Sequence, residues 1–230
     1  MEQRLFVVEG LDGSGKATQT ALLAKSLAEK GYFCRQVTFP NYHSPSSALV
    51  KLYLGGAFGG SPASVNPYAA ASFYAVDRFA GYHQDWKSDY EAGTIILADR
   101  YVTSNLIYQL SKVRPSERAA FVDWLQSYEY DQLGLPRPTA TIYLDMLPSV
   151  SQKLLLHRYD GDEQKKDIHE RDVAFLMQCR ESALYSAEHC GWHQIRCDDG
   201  ETPRSPEEIH KEIVTIVERY LQKEREGSKE

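Results

Sequence analysis

A chain of 230 residues, 42% of them hydrophobic, can bury a full α/β core without disulfide or metal staples, and one domain is the default at this length. Its 26 basic against 32 acidic residues, net -6, argue against non-specific nucleic-acid binding as the main activity. Four cysteines without a C-x-x-C pair read as reduced thiols, no apolar run approaches the ~18 residues of a membrane span, and the N-terminus enters a strand signal directly; a cytoplasmic protein with no membrane partner is expected.

The first predicted element is the apolar strand Leu5 to Val8, followed by "GLDGSGKAT" at residues 10 to 18 and a helix from Lys16 to Lys30 that Gly31 stops. Gly10, Gly15 and Lys16 satisfy the phosphate-binding P-loop pattern, whereas Ala17 stands where Ser or Thr is wanted and Thr18 comes one place late. Glycines let successive backbone N–H groups surround one anion, and the helix N-terminus adds its positive end. Gly10, Leu11, Asp12, Gly13, Ser14, Gly15, Lys16, Ala17 and Thr18 are therefore the candidate ATP site, with Lys16 on the terminal phosphates.

Ala17 removes the hydroxyl that normally touches Mg²⁺, and Thr18, rotated by roughly 100° along the helix, cannot take its place. Because Mg²⁺ readily keeps several waters, a carboxylate near the strand tips can hold it through them. After a second strand, Phe33 to Phe39, and an irregular Gly-, Ser- and Pro-rich stretch at residues 40 to 66, the strand Thr94 to Ala98 supplies that carboxylate. It delivers Asp99 and Arg100 to its C-terminal end, where ligands bind in open parallel sheets: Asp99 for metal-bound water, Arg100 for an anion.

Two further strands, Thr141 to Leu144 and Trp192 to Cys197, flank an almost wholly polar segment at residues 157 to 171. The last helix has Ser205 as N-cap, Pro206 at its first position and Glu208 completing a capping box, with Ile209, Ile213, Ile216, Val217 and Tyr220 on one apolar face. Strands alternating with helices predict a central five-stranded parallel sheet covered on both faces, within one domain over residues 1 to 222 and a frayed tail at 223 to 230.

"FVVEGLDGSGKATQ", "FPNY", "FYAVDR", "DRYVTSNLIYQ", "TIYLD" and the D-x-x-E segment Asp167 to Glu170 occur in the order found in the thymidylate kinase family, which phosphorylates dTMP with ATP, and the chain resembles that family over residues 4 to 197. The resemblance implies a P-loop NTPase fold with a mobile lid at about 157 to 171, Mg²⁺ with ATP as co-substrate, and a homodimer. Phe73 would stack on thymine, Arg78 would bond its edge with Asn105 assisting, and Arg100 would hold the dTMP phosphate. Asp12 would approach the sugar 3'-hydroxyl, Tyr108 would crowd the 2' position, and Tyr42 would help shape the pocket.

Some family members carry an arginine inside the P-loop; this chain has Gly13 there, but Arg158, Lys165, Lys166 and Arg171 in the polar segment, so a lid-supplied cation is expected, Arg158 first. No catalytic Ser or His constellation is required, since a phosphate acceptor is already anionic near neutral pH. Two alternatives stand beside this reading: a deoxynucleoside kinase or other monophosphate kinase of the same fold, and a nucleotide-binding regulator that lost turnover with the Ala17 hydroxyl. A nucleoside kinase wants a carboxylate base near its neutral hydroxyl, where this chain has Asp99-Arg100-Tyr101.

Overall fold

In the computed structural model, residues 4–158, 167–170 and 172–227 are described. Five parallel strands form one sheet: β1 (Leu5–Gly10), β2 (Cys34–Thr38), β3 (Ile95–Asp99), β4 (Ala140–Asp145) and β5 (His193–Arg196), in the order β2-β3-β1-β4-β5. The helices among the described residues are α1 (Lys16–Glu29), α2 (Ala48–Leu54), α3 (Pro67–Gly81), α4 (Lys87–Glu91), α5 (Asn105–Tyr108), α6 (Arg118–Gln126), α7 (Pro148–Arg158), α8 (Val173–Cys190) and α9 (Pro206–Gly227). None of them is long and apolar enough to cross a membrane.

Alternation along β1 explains the layering. Leu5 and Val7 point into a core with Ile96, Ala98, Trp86, Tyr101 and Phe121, while Phe6 and Val8 meet Leu23 and Leu27 of α1 and Ile209, Ile213 and Val217 of α9. A strand buried on both faces must be apolar at every position, as "LFVV" is, and only a sheet clad in helices on both sides permits it. The last helix begins as its sequence predicts, with Ser205 Oγ accepting from Glu208 N at 3.3 Å; it continues to Gly227, and the side chains of the expected tail lie outside the described residues.

The strand order positions the site. Although β3 is far from β1 in sequence, they are neighbours, with Val8 opposite Asp99 and Arg100 N donating to Val8 O at 3.1 Å. The loop after β1 and the residues after β3 therefore open into one crevice at the carboxyl edge of the sheet, where the winding direction reverses. Two π-helical turns, Tyr82–Trp86 between α3 and α4 and Ser127–Gln132 after α6, interrupt otherwise regular helices.

Candidate active site

The crevice is a cavity of about 470 Å³ whose walls bring together Asp12, Gly13, Gly15, Lys16, Ala17, Tyr42, Arg78, Asp99, Arg100, Asn105 and Tyr108, all anticipated from the sequence. Gly13 and Gly15 hold φ of 80° and 89°, the left-handed conformation that lets the loop turn its amides inward. Gly13 has a second constraint: a Cβ there would lie 2.7 Å from Ser151 O of α7, so a side chain at this P-loop position is excluded unless α7 shifts. Leu11 turns into the core, and its carbonyl accepts from Lys16 Nζ at 2.9 Å. Ala17 lines the cavity, whereas Thr18 is exposed and does not line it, as the helical rotation requires.

A charge cluster occupies the floor. Arg100 pairs with Asp12, donates to Tyr108 Oη at 3.2 Å and stacks over the Tyr108 ring at 5.1 Å, while Tyr108 Oη donates to Asp12 Oδ2 at 3.0 Å. Arg100 reaches this position with φ of 69°, a left-handed conformation disfavoured for any residue with a Cβ and characteristic of functional sites. Burial alone would raise the Asp12 carboxyl, but the charges of Arg100 and Lys16 and the bonds from Arg100 and Tyr108 hold it well below the usual carboxylate range. Burial and the neighbouring Arg100 charge push the Lys16 ammonium down to about 8.

Asp99 lines the cavity and is half-buried, and its Oδ1 is buried without a hydrogen-bond partner among the described residues. That chemistry fits a hydrated divalent cation, and Ala17 offers no side-chain oxygen to compete. No group of three or more His, Cys, Asp or Glu that could hold a metal occurs among the described residues.

The cavity wall carried by α3 differs from the sequence expectation in one residue. Phe73 does not line the cavity; it packs beside Tyr53 and Phe58, at ring distances of 6.3 and 5.7 Å. Tyr74 lines the cavity instead. The reason is helical geometry: residues four apart share a face, so Arg78 is aligned with Tyr74, whereas five residues of offset turn Phe73 away.

Arg78 does line the cavity, yet it is not a loose arm, because its Nε and Nη2 donate to the Glu129 carboxylate at 2.7 and 2.6 Å. Gln109 also lines the cavity; it is fully buried, and neither side-chain amide atom makes a well-formed hydrogen bond. Its signal was present in the sequence, four residues beyond Asn105 on one helical face.

Residues of two further segments, 41–46 and 167–170, complete the walls. Asp77 accepts from Asn41 N at 2.9 Å and Ser46 Oγ at 2.6 Å, which ties the loop carrying Tyr42 across α3. Asp167 Oδ1 accepts from the backbone N of His169 and Glu170 at 2.8 and 2.9 Å, so the D-x-x-E segment is a capped turn. It sets His169 flat against Tyr108, with ring centroids 5.5 Å apart and an interplanar angle of 14°. His169 Nε2 also hydrogen-bonds Tyr53 Oη at 3.0 Å, and burial, with the charge of Lys112, pushes its pKa down to about 3. The side chain of Arg158 and residues Lys165, Lys166 and Arg171 lie outside the described residues.

A glycine-turned anion cradle with a buried lysine, a facing Asp-Arg pair and a walled acceptor cavity, on a β2-β3-β1-β4-β5 parallel sheet, define a P-loop phosphotransferase of the nucleotide-kinase class. Residues 8–213 match the family model described as thymidylate kinase. The chain belongs to the thymidylate kinase family. It is 31% identical to a probable thymidylate kinase of Thermococcus gammatolerans over 217 residues, covering 94% of this chain and 96% of that one. Thymidylate kinase of Mycobacterium tuberculosis is 30% identical over 190 residues, 79% of this chain and 84% of its own. A solved Candida albicans thymidylate kinase superposes with a TM-score of 0.65 over 94% of this chain and 92% of its own, at 20% identity, which shows the shared fold.

Proposed function

We propose that the protein transfers the γ-phosphoryl group of ATP to dTMP, giving dTDP and ADP. The observation that carries this reading is the single cavity in which the P-loop and the Asp99–Arg100 pair meet a walled acceptor pocket bearing Tyr74, Arg78, Asn105 and Gln109. ATP phosphates lie on the loop amides from residues 10 to 18 with Lys16 on the terminal groups, and Arg100 holds the acceptor phosphate. Mg²⁺ bound with ATP neutralises phosphate charge, and Asp99 is the residue that would hold it, through water.

The acceptor phosphate is itself the nucleophile, so the protein's work is to align two polyanions and spread the developing charge over Lys16 and Arg100. Asp12 supports this acceptor class: a carboxylate held far below neutrality by two cations is a poor proton abstractor, as a nucleoside hydroxyl would require. Tyr74 gives the base a flat face, Arg78 and Asn105 read its edge, and Tyr108, bonded to Asp12, walls the sugar. Arg158 is the foremost candidate for the lid cation that completes the site.

The same reading places the reaction in the cytoplasm, without nucleic acid, in a homodimer; the half-exposed Val76 and Phe79 on α3 are apolar side chains suited to such a contact. Separation of nucleotides after incubation with ATP and Mg²⁺ tests the acceptor: dTDP must form from dTMP, and thymidine must remain unphosphorylated. Phosphorylation of thymidine at a comparable rate would overturn the assignment.

A further inference from the structure

Glu129 belongs to none of the recognised motifs, yet it is fully buried beneath the base-facing wall. It sits on the π-helical turn Ser127–Gln132, where the altered winding directs it toward residues 51 and 24 positions away in sequence. Its Oε2 accepts from Arg78 Nε at 2.7 Å, and its Oε1 accepts from both Arg78 Nη2 at 2.6 Å and Asn105 Nδ2 at 3.0 Å. Asn105 Nδ2 also donates to Ala71 O at 3.3 Å. Arg78 and Asn105 are 1% and 2% exposed, so bulk water does not substitute for these partners.

The arrangement settles the polarity of the Asn105 amide. Both groups facing its nitrogen, a carboxylate and a backbone carbonyl, only accept, so a flipped amide would set oxygen against oxygen. The carbonyl Oδ1 is left as an acceptor with no donor among the described residues, on a side chain that lines the cavity. Arg78 is fixed in the same way: two of its nitrogens are committed to Glu129, and Nη1 keeps its hydrogens for the cavity. The wall therefore presents a donor and an acceptor in fixed roles.

Resting on the thymidylate reading above, we infer that Glu129 is a positioning residue that sets this donor–acceptor polarity and, through Asn105 and Arg78, makes the site select a thymine- or uracil-type edge over a cytosine-type edge. Thymine offers an accepting O4 and a donating N3–H, which match Arg78 and Asn105. Cytosine offers a donating amino group and an accepting N3, which oppose both. Rejection then follows from unmatched buried polar groups, a stronger discriminator than shape alone.

The test is kcat/KM for dTMP and dCMP at saturating ATP, with ATP KM and Tm measured alongside, in wild type, Glu129→Gln and Asn105→Ser. In Glu129→Gln the partner can donate as well as accept, the Asn105 amide is released, and the dTMP-to-dCMP ratio should fall at least tenfold while ATP KM stays within twofold. Asn105→Ser leaves the Arg78–Glu129 pair intact and should lose the ratio similarly, which keeps the test decisive if Glu129→Gln fails to fold. A folded Glu129→Gln that keeps the wild-type ratio, or an Asn105→Ser that does, overturns the inference. A wild-type enzyme that does not prefer dTMP to dCMP is a different result, since it removes the thymidylate reading itself.

Discussion

Replacing Tyr74 and Phe73 separately by alanine should damage two different properties, although the residues are adjacent in sequence. Tyr74 lines the cavity, held edge-on by Tyr53 at 6.4 Å, and is the side chain we propose stacks on the base. Base–aromatic stacking measured by alanine substitution is worth about 1–3 kcal/mol. At 1.4 kcal/mol per tenfold, Tyr74→Ala should raise the dTMP KM roughly 5- to 150-fold and leave the ATP KM unchanged. Phe73 instead packs on Tyr53 and Phe58 and is only partly buried. Its removal should cost roughly 2 kcal/mol of stability, below the ~3–5 kcal/mol of a fully buried Phe→Ala change. For a chain of this size that is a fall in Tm of roughly 4–8 °C. Initial rates over a dTMP titration, together with thermal melts of both variants, separate the two effects. If Phe73→Ala raises the dTMP KM as much as Tyr74→Ala does, the assignment of faces on α3 is refuted.

Lys16, with a pKa near 8, should be neutral in much of the free enzyme above that pH and protonated once phosphates bind, so ATP binding at pH 8.5 should take up a proton. Calorimetry in buffers of different ionisation enthalpy measures it, and an uptake of zero would contradict the burial of Lys16. Ala17→Ser should shift the Mg²⁺ dependence of the initial rate modestly and leave the dTMP KM alone, since the amides, Lys16 and Asp99 are untouched; a wild-type chain inert until Ala17→Ser is introduced would make the motif a damaged one. His169, with its pKa pushed down to about 3, binds a proton less readily folded than unfolded. Its contribution is therefore complete above about pH 6.5 and lost as pH falls toward 3, with a slope of up to about 1.4 kcal/mol per pH unit that His169→Gln should remove from the acid-unfolding profile.

Local spacing made the sheet and the anion site legible, because a P-loop is contiguous and its conformation follows from its own glycines. The five strands and the start of α9 fall where the apolar runs and the Ser205-Pro206 signal put them. The base-facing wall was less legible for two physical reasons. Phe73 and Tyr74 are both aromatic, and only strict attention to the four-residue repeat along α3 separates the one that lines the cavity with Arg78 from the one packed on Phe58. Glu129 could not be paired with Arg78 from sequence at all: its partner lies 51 residues away, and a π-helical turn aims it. His169 likewise gains its place against Tyr108 only through the Asp167-capped turn.

The central claim, that this cavity matches a thymine monophosphate to a P-loop, is tested most directly by initial rates of ADP release with ATP and Mg²⁺ across dTMP, dCMP, dAMP, dGMP and acceptor-free controls. The structure predicts that dTMP gives the highest kcat/KM and that release without an acceptor is negligible. Equal rates with all four monophosphates, or ADP release independent of any of them, would contradict it.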